Sequence, residues 1–162
     1  VNEAQECLGG IGYVEENPMP RYYRQAPLNS IWEGSGNVQC LDVLRALAKE
    51  PNVKEALFNE LKTQTGKNKH YDIHLSKLLD ELSNTQNMET RSRYLTEQMA
   101  LALQACTLLA TCTFLAKENV HNDIAHTFCE SRLGNACGFA LGTLPHTTPF
   151  EKIIALGQVS SS

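Results

Sequence analysis

No C-x-x-C pair occurs among the six cysteines, Cys7, Cys40, Cys106, Cys112, Cys129 and Cys137. That absence argues against the common zinc and dithiol motifs, and a disulfide framework is not expected in a chain of 162 residues. His126 and Cys129 stand three apart, but no second pair completes a ligand set, so no metal site is predicted. Most of the thiols lie in apolar, helix-like stretches. They read as reduced, buried, small hydrophobes of a reducing compartment, cytoplasm or mitochondrial matrix.

Positive charge is also short. The formal net charge is -4, and no basic run is longer than the spaced pair Lys67 and Lys69. Non-specific attraction to nucleic acid or to an anionic membrane is therefore not expected. The deficit is concentrated early: residues 1–50 hold four Lys/Arg against seven Asp/Glu, whereas residues 51–162 hold ten against eleven. The opening VNEAQECLGG has neither the basic region nor the long apolar stretch of a signal peptide. It starts inside a helix-like pattern, and the chain reads as a piece of something longer. One stretch, Gln98–Ala116, has no charge. As a helix it would reach roughly 28 Å, about one hydrocarbon core. Gln98, Gln104, Thr107, Thr111 and Thr113 interrupt it, which favours a central helix of a soluble bundle over a membrane span.

Strand signals are nearly missing as well. No sustained period-2 alternation, internal repeat or low-complexity linker is present, and helix-period patterns dominate. Asn2–Leu8 reads as a helix end closed by Gly9 and Gly10. Pro20–Gln25 reads as a short helix with proline in its first turn. Gly36–Lys49 is a stronger helix, with an apolar face of Val38, Leu41, Val43, Leu44 and Leu47. Pro51 starts the next, to about Thr63. Tyr71–Leu82 carries Ile73, Leu75, Leu78, Leu79 and Leu82 on its apolar face, and a long helix is predicted from Glu89 to Lys117. Asn122–Leu133 makes another, followed by a glycine-rich run, Gly134–Gly142. Thr148 with Glu151 suggests a capping box ahead of a last helix at Pro149–Leu156. The fold class is all-α, a helical bundle from about Gly36 onward, preceded by a glycine-punctuated segment.

Three groups of residues there invite chemistry. Gly9, Gly10 and Gly12 could bring backbone N–H groups to a phosphate, but neither the spacing nor a preceding strand fits the dinucleotide fingerprint, and a helix-ending turn is the simpler reading. Glu33 follows the chain's single tryptophan, Trp32, and precedes Gly34. Ile31 and Trp32 supply apolar surface beside the carboxylate, which suits a general base. Ser35 and Asn37 offer polar groups at a helix start, where backbone N–H groups favour anions. Arg21 and Arg24 share one helix face and could serve either a ligand or surface pairs with Glu15 and Glu16.

Three motifs in order then point to a family. They are E-A-x-E-x-L-G-G-I-G-Y at Glu3–Tyr13, P-R-x-Y-R at Pro20–Arg24, and N-S-I-W-E-G-S-G-N-x-x-x-L-D-V-L-R at Asn29–Arg45. Together they resemble the C-terminal helical domain of acyl-CoA dehydrogenases, most closely the AidB-like branch. The likeness is dense over residues 1–47 and extends further only by pattern. It implies two regions: residues 1–49, the end of that helical domain, and residues 50–162, an additional helical domain of the AidB-like kind.

The resemblance further implies an FAD flavoprotein oxidoreductase acting on an acyl-CoA thioester, as a homo-oligomer, a tetramer in this family. By motif, Gly9, Gly10, Gly12 and Tyr13 would contact the FAD of a neighbouring subunit, and Ser35 and Asn37 would line the flavin. Glu33 would be the catalytic base and Trp32 a wall of the acyl pocket. Three positions depart from the commoner pattern: Glu6 for Gln, Trp32 for Tyr and Cys40 for Arg. The chain alone is not expected to turn over. Two other classes of function are weighed: DNA binding, associated with the AidB-like branch but needing a basic surface that residues 51–162 do not promise, and assembly alone, with Gln98–Ala116 buried in its own bundle or against another subunit.

Overall fold

The computed structural model describes residues 1–114, 119–134 and 141–158. Among them there are eight α-helices and no strand: α1 (Asn2–Leu8), α2 (Met19–Gln25), α3 (Gly36–Lys49), α4 (Pro51–Lys62), α5 (Lys69–Ser83), α6 (Ser92–Phe114), α7 (Asn119–Phe128) and α8 (Phe150–Leu156). Short 3-10 helices follow α1 at Gly9–Gly12, follow α2 at Ala26–Ser30 and precede α6 at Glu89–Arg91. A π-helical turn, Cys129–Leu133, extends α7. The all-α expectation is met, and no described helix is long and apolar enough to cross a membrane.

The core lies in the second half. Leu61 of α4, Tyr71, Leu75, Leu78 and Leu82 of α5, and Leu95, Met99, Ala102, Ala105, Cys106 and Leu109 of α6 are buried together, with Ala125 and Cys129 closing one end. The spacing of these apolar residues every three or four positions makes each helix present one stripe to its neighbours. Tyr71 is fully buried, and its hydroxyl donates to the Leu61 carbonyl at 2.6 Å, so the phenol oxygen is satisfied inside the apolar cluster. Burial holds the Tyr71 hydroxyl well above its ordinary ionisation range. Asn68 caps α5: its Oδ1 accepts from the backbone N–H groups of His70 and Tyr71, while its Nδ2 reaches His126 Nδ1 at 2.8 Å, tying α5 to α7.

Several details depart from the sequence reading. Val38 and Ile73 are exposed, at 48% and 54%, so their helices turn narrower faces inward than the apolar count suggested. On α3 only Val43, Leu44 and Leu47 pack against the core. The charge-free stretch is described as helix only to Phe114, its last residues lying outside the described ones, and residues 98–112 are covered on one side by their own bundle. The other side, with Ala100, Leu103, Gln104 and Thr107, is exposed beside Leu108 and Phe128 around a groove of about 500 Å³. Thr107 and Thr111 spend their hydroxyls on carbonyls one turn back, which lets them sit on a helix without other partners. The capping box is not formed: Pro149 is the residue before α8, and no side chain caps it. Cys7 is exposed, Cys40 and Cys112 half-buried, and only Cys106 and Cys129 fully buried, all as free thiols. Cys137 and most of the glycine-rich run lie outside the described residues.

Candidate functional site

The first 35 residues contribute almost nothing to the core. Only Gly12 and Pro20 are buried among them, while Ile11, Tyr13, Tyr22, Ile31 and Trp32 are all more than half exposed. Large apolar side chains gathered on one open segment mark a surface made to be covered.

Gly9–Gly12 forms a tight helical turn at the end of α1. Gly12 is held there by close approach. A β-carbon on it would stand 2.8 Å from the Gln5 carbonyl oxygen and 2.9 Å from Leu8 Cβ, and its own carbonyl accepts from Gln5 Nε2 at 3.0 Å. Gly12 therefore shapes the turn from inside, and Gly9, Gly10 and Tyr13 are the members that reach the surface. Tyr13 borders a cavity of about 750 Å³ shared with Gln5, Glu15, Pro20, Tyr23 and Arg24. Arg24 grips Glu15 with both terminal nitrogens, at 2.7 and 3.1 Å, and fastens the loop to α2. That hydrogen bond holds the Glu15 carboxyl below its ordinary range and raises Arg24. Arg24 thus takes the surface-pair role; Arg21 makes no ion pair among the described residues.

The Trp32–Asn37 turn is built differently. The N–H groups of Ile31 and Trp32 both bond to the Leu28 carbonyl, ending the short helix before them. Glu33 then adopts φ 65°, a left-handed conformation that a residue with a side chain adopts at a cost of about 1–2 kcal/mol. Gly34 follows at φ 113°, open only to glycine. The Gln39 side-chain amide reaches back to bond the Glu33 carbonyl, locking the turn from inside α3. Ser35 is extended, with no side-chain cap to the helix. The Glu33 and Ser35 side chains are exposed, and Trp32 is 57% exposed. The expected apolar shielding of the carboxylate is therefore not made by this chain's own residues.

The cavity at Tyr13 is lined by none of Trp32, Glu33, Ser35 and Asn37. Three residues that hold these turns escaped the sequence reading: Gln5, Gln39 and Arg93. Arg93 comes from α6, and its Nη1 donates to Asn37 Oδ1 at 3.2 Å. A Gln three positions after a Ser-Gly pair carries no motif, and Arg93 lies 56 residues beyond its partner, so neither was visible from spacing.

Comparison with known proteins bears on the same segment. Residues 1–48 match the family described as acyl-CoA dehydrogenase, C-terminal domain. AidB of Escherichia coli (strain K12) is 45% identical over 101 residues, 62% of this chain and 18% of that protein. Acyl-CoA dehydrogenase family member 11 of Caenorhabditis elegans is 39% identical over 77 residues, 48% of this chain and 12% of that protein. The mitochondrial short-chain specific acyl-CoA dehydrogenase of Bos taurus is 44% identical over 48 residues, 30% of this chain and 12% of that protein. The chain thus spans less than a fifth of the length of these relatives. Residues 1–48 are thus similar to the C-terminal domain of acyl-CoA dehydrogenases, and the chain is closely related to AidB-like sequences.

Proposed function

We propose that this chain serves as the C-terminal portion of an FAD-dependent acyl-CoA dehydrogenase, with Glu33 as the base. The observation that carries the reading is the turn itself. Glu33 is a non-glycine residue held at positive φ, its carbonyl pinned by Gln39, with its carboxylate facing outward. Backbone strain of this kind persists where the surroundings enforce it, and it gathers at sites that use a side chain in one orientation.

The residues present suit the cofactor. The start of α3 offers unpaired backbone N–H groups and no acidic side chain in its first turn, which favours the electron-rich polar edge of a flavin. Ser35 and Asn37 would hold that edge. Gly9, Gly10 and Tyr13 would meet FAD across a subunit boundary, with Gly12 keeping their turn in shape. FAD, when bound, supplies the acceptor for the hydride that leaves the β-carbon. Glu33 takes the α-proton, made acidic by the thioester carbonyl, and its exposure in this chain leaves room for the ligand and neighbouring domains to exclude water. Trp32, beside the base, would limit the width of the acyl group.

Other regions of the complete protein and neighbouring subunits of a homotetramer would then cover the apolar surface around Tyr13, Tyr22, Ile31 and Trp32. Residues 50–162 would act as an additional helical domain that buttresses α3 through its contact with α6. The test is Glu33→Gln in the complete protein. It keeps size and hydrogen bonding, so FAD stays bound, and it removes the base, so reduction by acyl-CoA is lost. Retention of full turnover contradicts the assignment.

A further inference from the structure

Arg93 belongs to α6, outside the residues that match the dehydrogenase domain, yet it reaches the turn that carries the proposed base. Its Nη1 donates to Asn37 Oδ1 at 3.2 Å, and the same nitrogen lies 3.0 Å from where a β-carbon on Gly36 would stand. Any side chain at position 36 would press on the guanidinium.

The placement runs against local electrostatics. The N-terminus of a helix carries a partial positive charge, so a cation beside it is disfavoured. The first turn of α3 has no acidic residue to compensate. The other N–H groups of Arg93 have no acceptor among the described residues. A cation held at a positive helix end, with donors to spare, is a local inconsistency of the sort found where a site needs it.

The consequence falls on Asn37. With Oδ1 engaged by Arg93, its carboxamide is oriented, and Nδ2 is the end left for a ligand. The mouth of α3 then presents hydrogen-bond donors: the first N–H groups of the helix and Asn37 Nδ2. We propose that Arg93 is a positioning residue supplied by the second helical region, which fixes Asn37 as a donor toward the flavin. This rests on the FAD reading above. It assigns the additional bundle a part in cofactor binding beyond buttressing.

The test is FAD titration of the apo form of the complete protein, followed by flavin fluorescence, for Arg93→Ala, Asn37→Ala and the double variant. Each single change is expected to weaken FAD binding about 3- to 10-fold, the range of one ordinary exposed hydrogen bond. The double variant should be no weaker than Asn37→Ala, because Arg93 acts through Asn37. Arg93→Lys should restore part of the affinity, which a general loss of fold would not allow. If Arg93→Ala fails to fold, Arg93→Gln serves, with the same direction expected. An Arg93 variant that binds FAD as wild type does, while Asn37→Ala binds more weakly, overturns the inference and leaves the FAD reading intact. Additive losses also overturn it. A wild-type protein that takes up no FAD overturns both.

Discussion

Replacing Trp32 by alanine separates a pocket wall from a structural anchor. Trp32 is 57% exposed, so less than half of its surface is covered by this chain. A tryptophan side chain presents up to about 250 Å², which leaves roughly 100 Å² buried. At about 25 cal/mol per Å² this burial is worth some 2.5 kcal/mol, an upper figure because the unfolded chain hides part of the same surface. Alanine retains a little of the contact, so Trp32→Ala should destabilise this chain by about 1–2 kcal/mol. A fully buried tryptophan would cost ~3–5 kcal/mol. In the complete protein the same change should broaden the acyl group accepted near the α and β carbons. Relief of one or two methylenes of steric conflict is worth about 1–3 kcal/mol, or roughly 10- to 200-fold in the ratio of kcat/KM for branched against straight acyl-CoA. Thermal melting of this chain and the two specificity constants of the complete protein give both numbers. A large loss of stability with an unchanged ratio would refute the pocket assignment.

Tyr71→Phe leaves the Leu61 carbonyl without its 2.6 Å donor inside the core and should cost about 1–3 kcal/mol, read as a lower urea midpoint at constant slope. Gly12→Ala forces a β-carbon against the Gln5 carbonyl and Leu8 and should cost about 1–3 kcal/mol, with Tyr13 becoming more mobile by amide exchange. Burial pushes the Cys129 thiol from 9.0 up to about 11, with Cys112 adding to it, so an alkylating reagent at neutral pH should modify exposed Cys7 and spare Cys129 until the chain unfolds. Because the folded chain holds that proton more tightly, its contribution to stability is complete below 9.0 and declines as pH rises toward about 11, which a series of denaturation curves would record.

The helices were legible because each carries its own signal. Gly36–Lys49 follows a Ser-Gly start and stops before Pro51, and its bounds match the sequence reading to the residue. Boundaries slipped where the backbone changes helical type. Glu89–Arg91 is a 3-10 turn before α6, and Cys129–Leu133 is a π turn after α7, differences of hydrogen-bond register that periodicity does not encode. The extent of burial was less legible. Val38 and Ile73 sit at apolar-face positions, yet no described residues cover them, and they stay 48% and 54% exposed. The site was legible as a string of motifs, because Trp32, Glu33, Gly34 and Ser35 are adjacent in sequence. What holds that string in place, the Gln39 amide behind Glu33 and the Arg93 guanidinium beside Asn37, is a matter of three-dimensional approach and left no pattern to read.

The central claim concerns Glu33, and anaerobic mixing of the complete protein with acyl-CoA tests it most directly. Flavin absorbance is followed for the wild type and for Glu33→Gln across short, branched and longer acyl chains. The wild-type flavin is expected to bleach with at least one chain, while the variant keeps its flavin bound and oxidised with all of them. Bleaching of the variant at the wild-type rate, or a wild-type flavin that stays oxidised with every acyl-CoA, would contradict it.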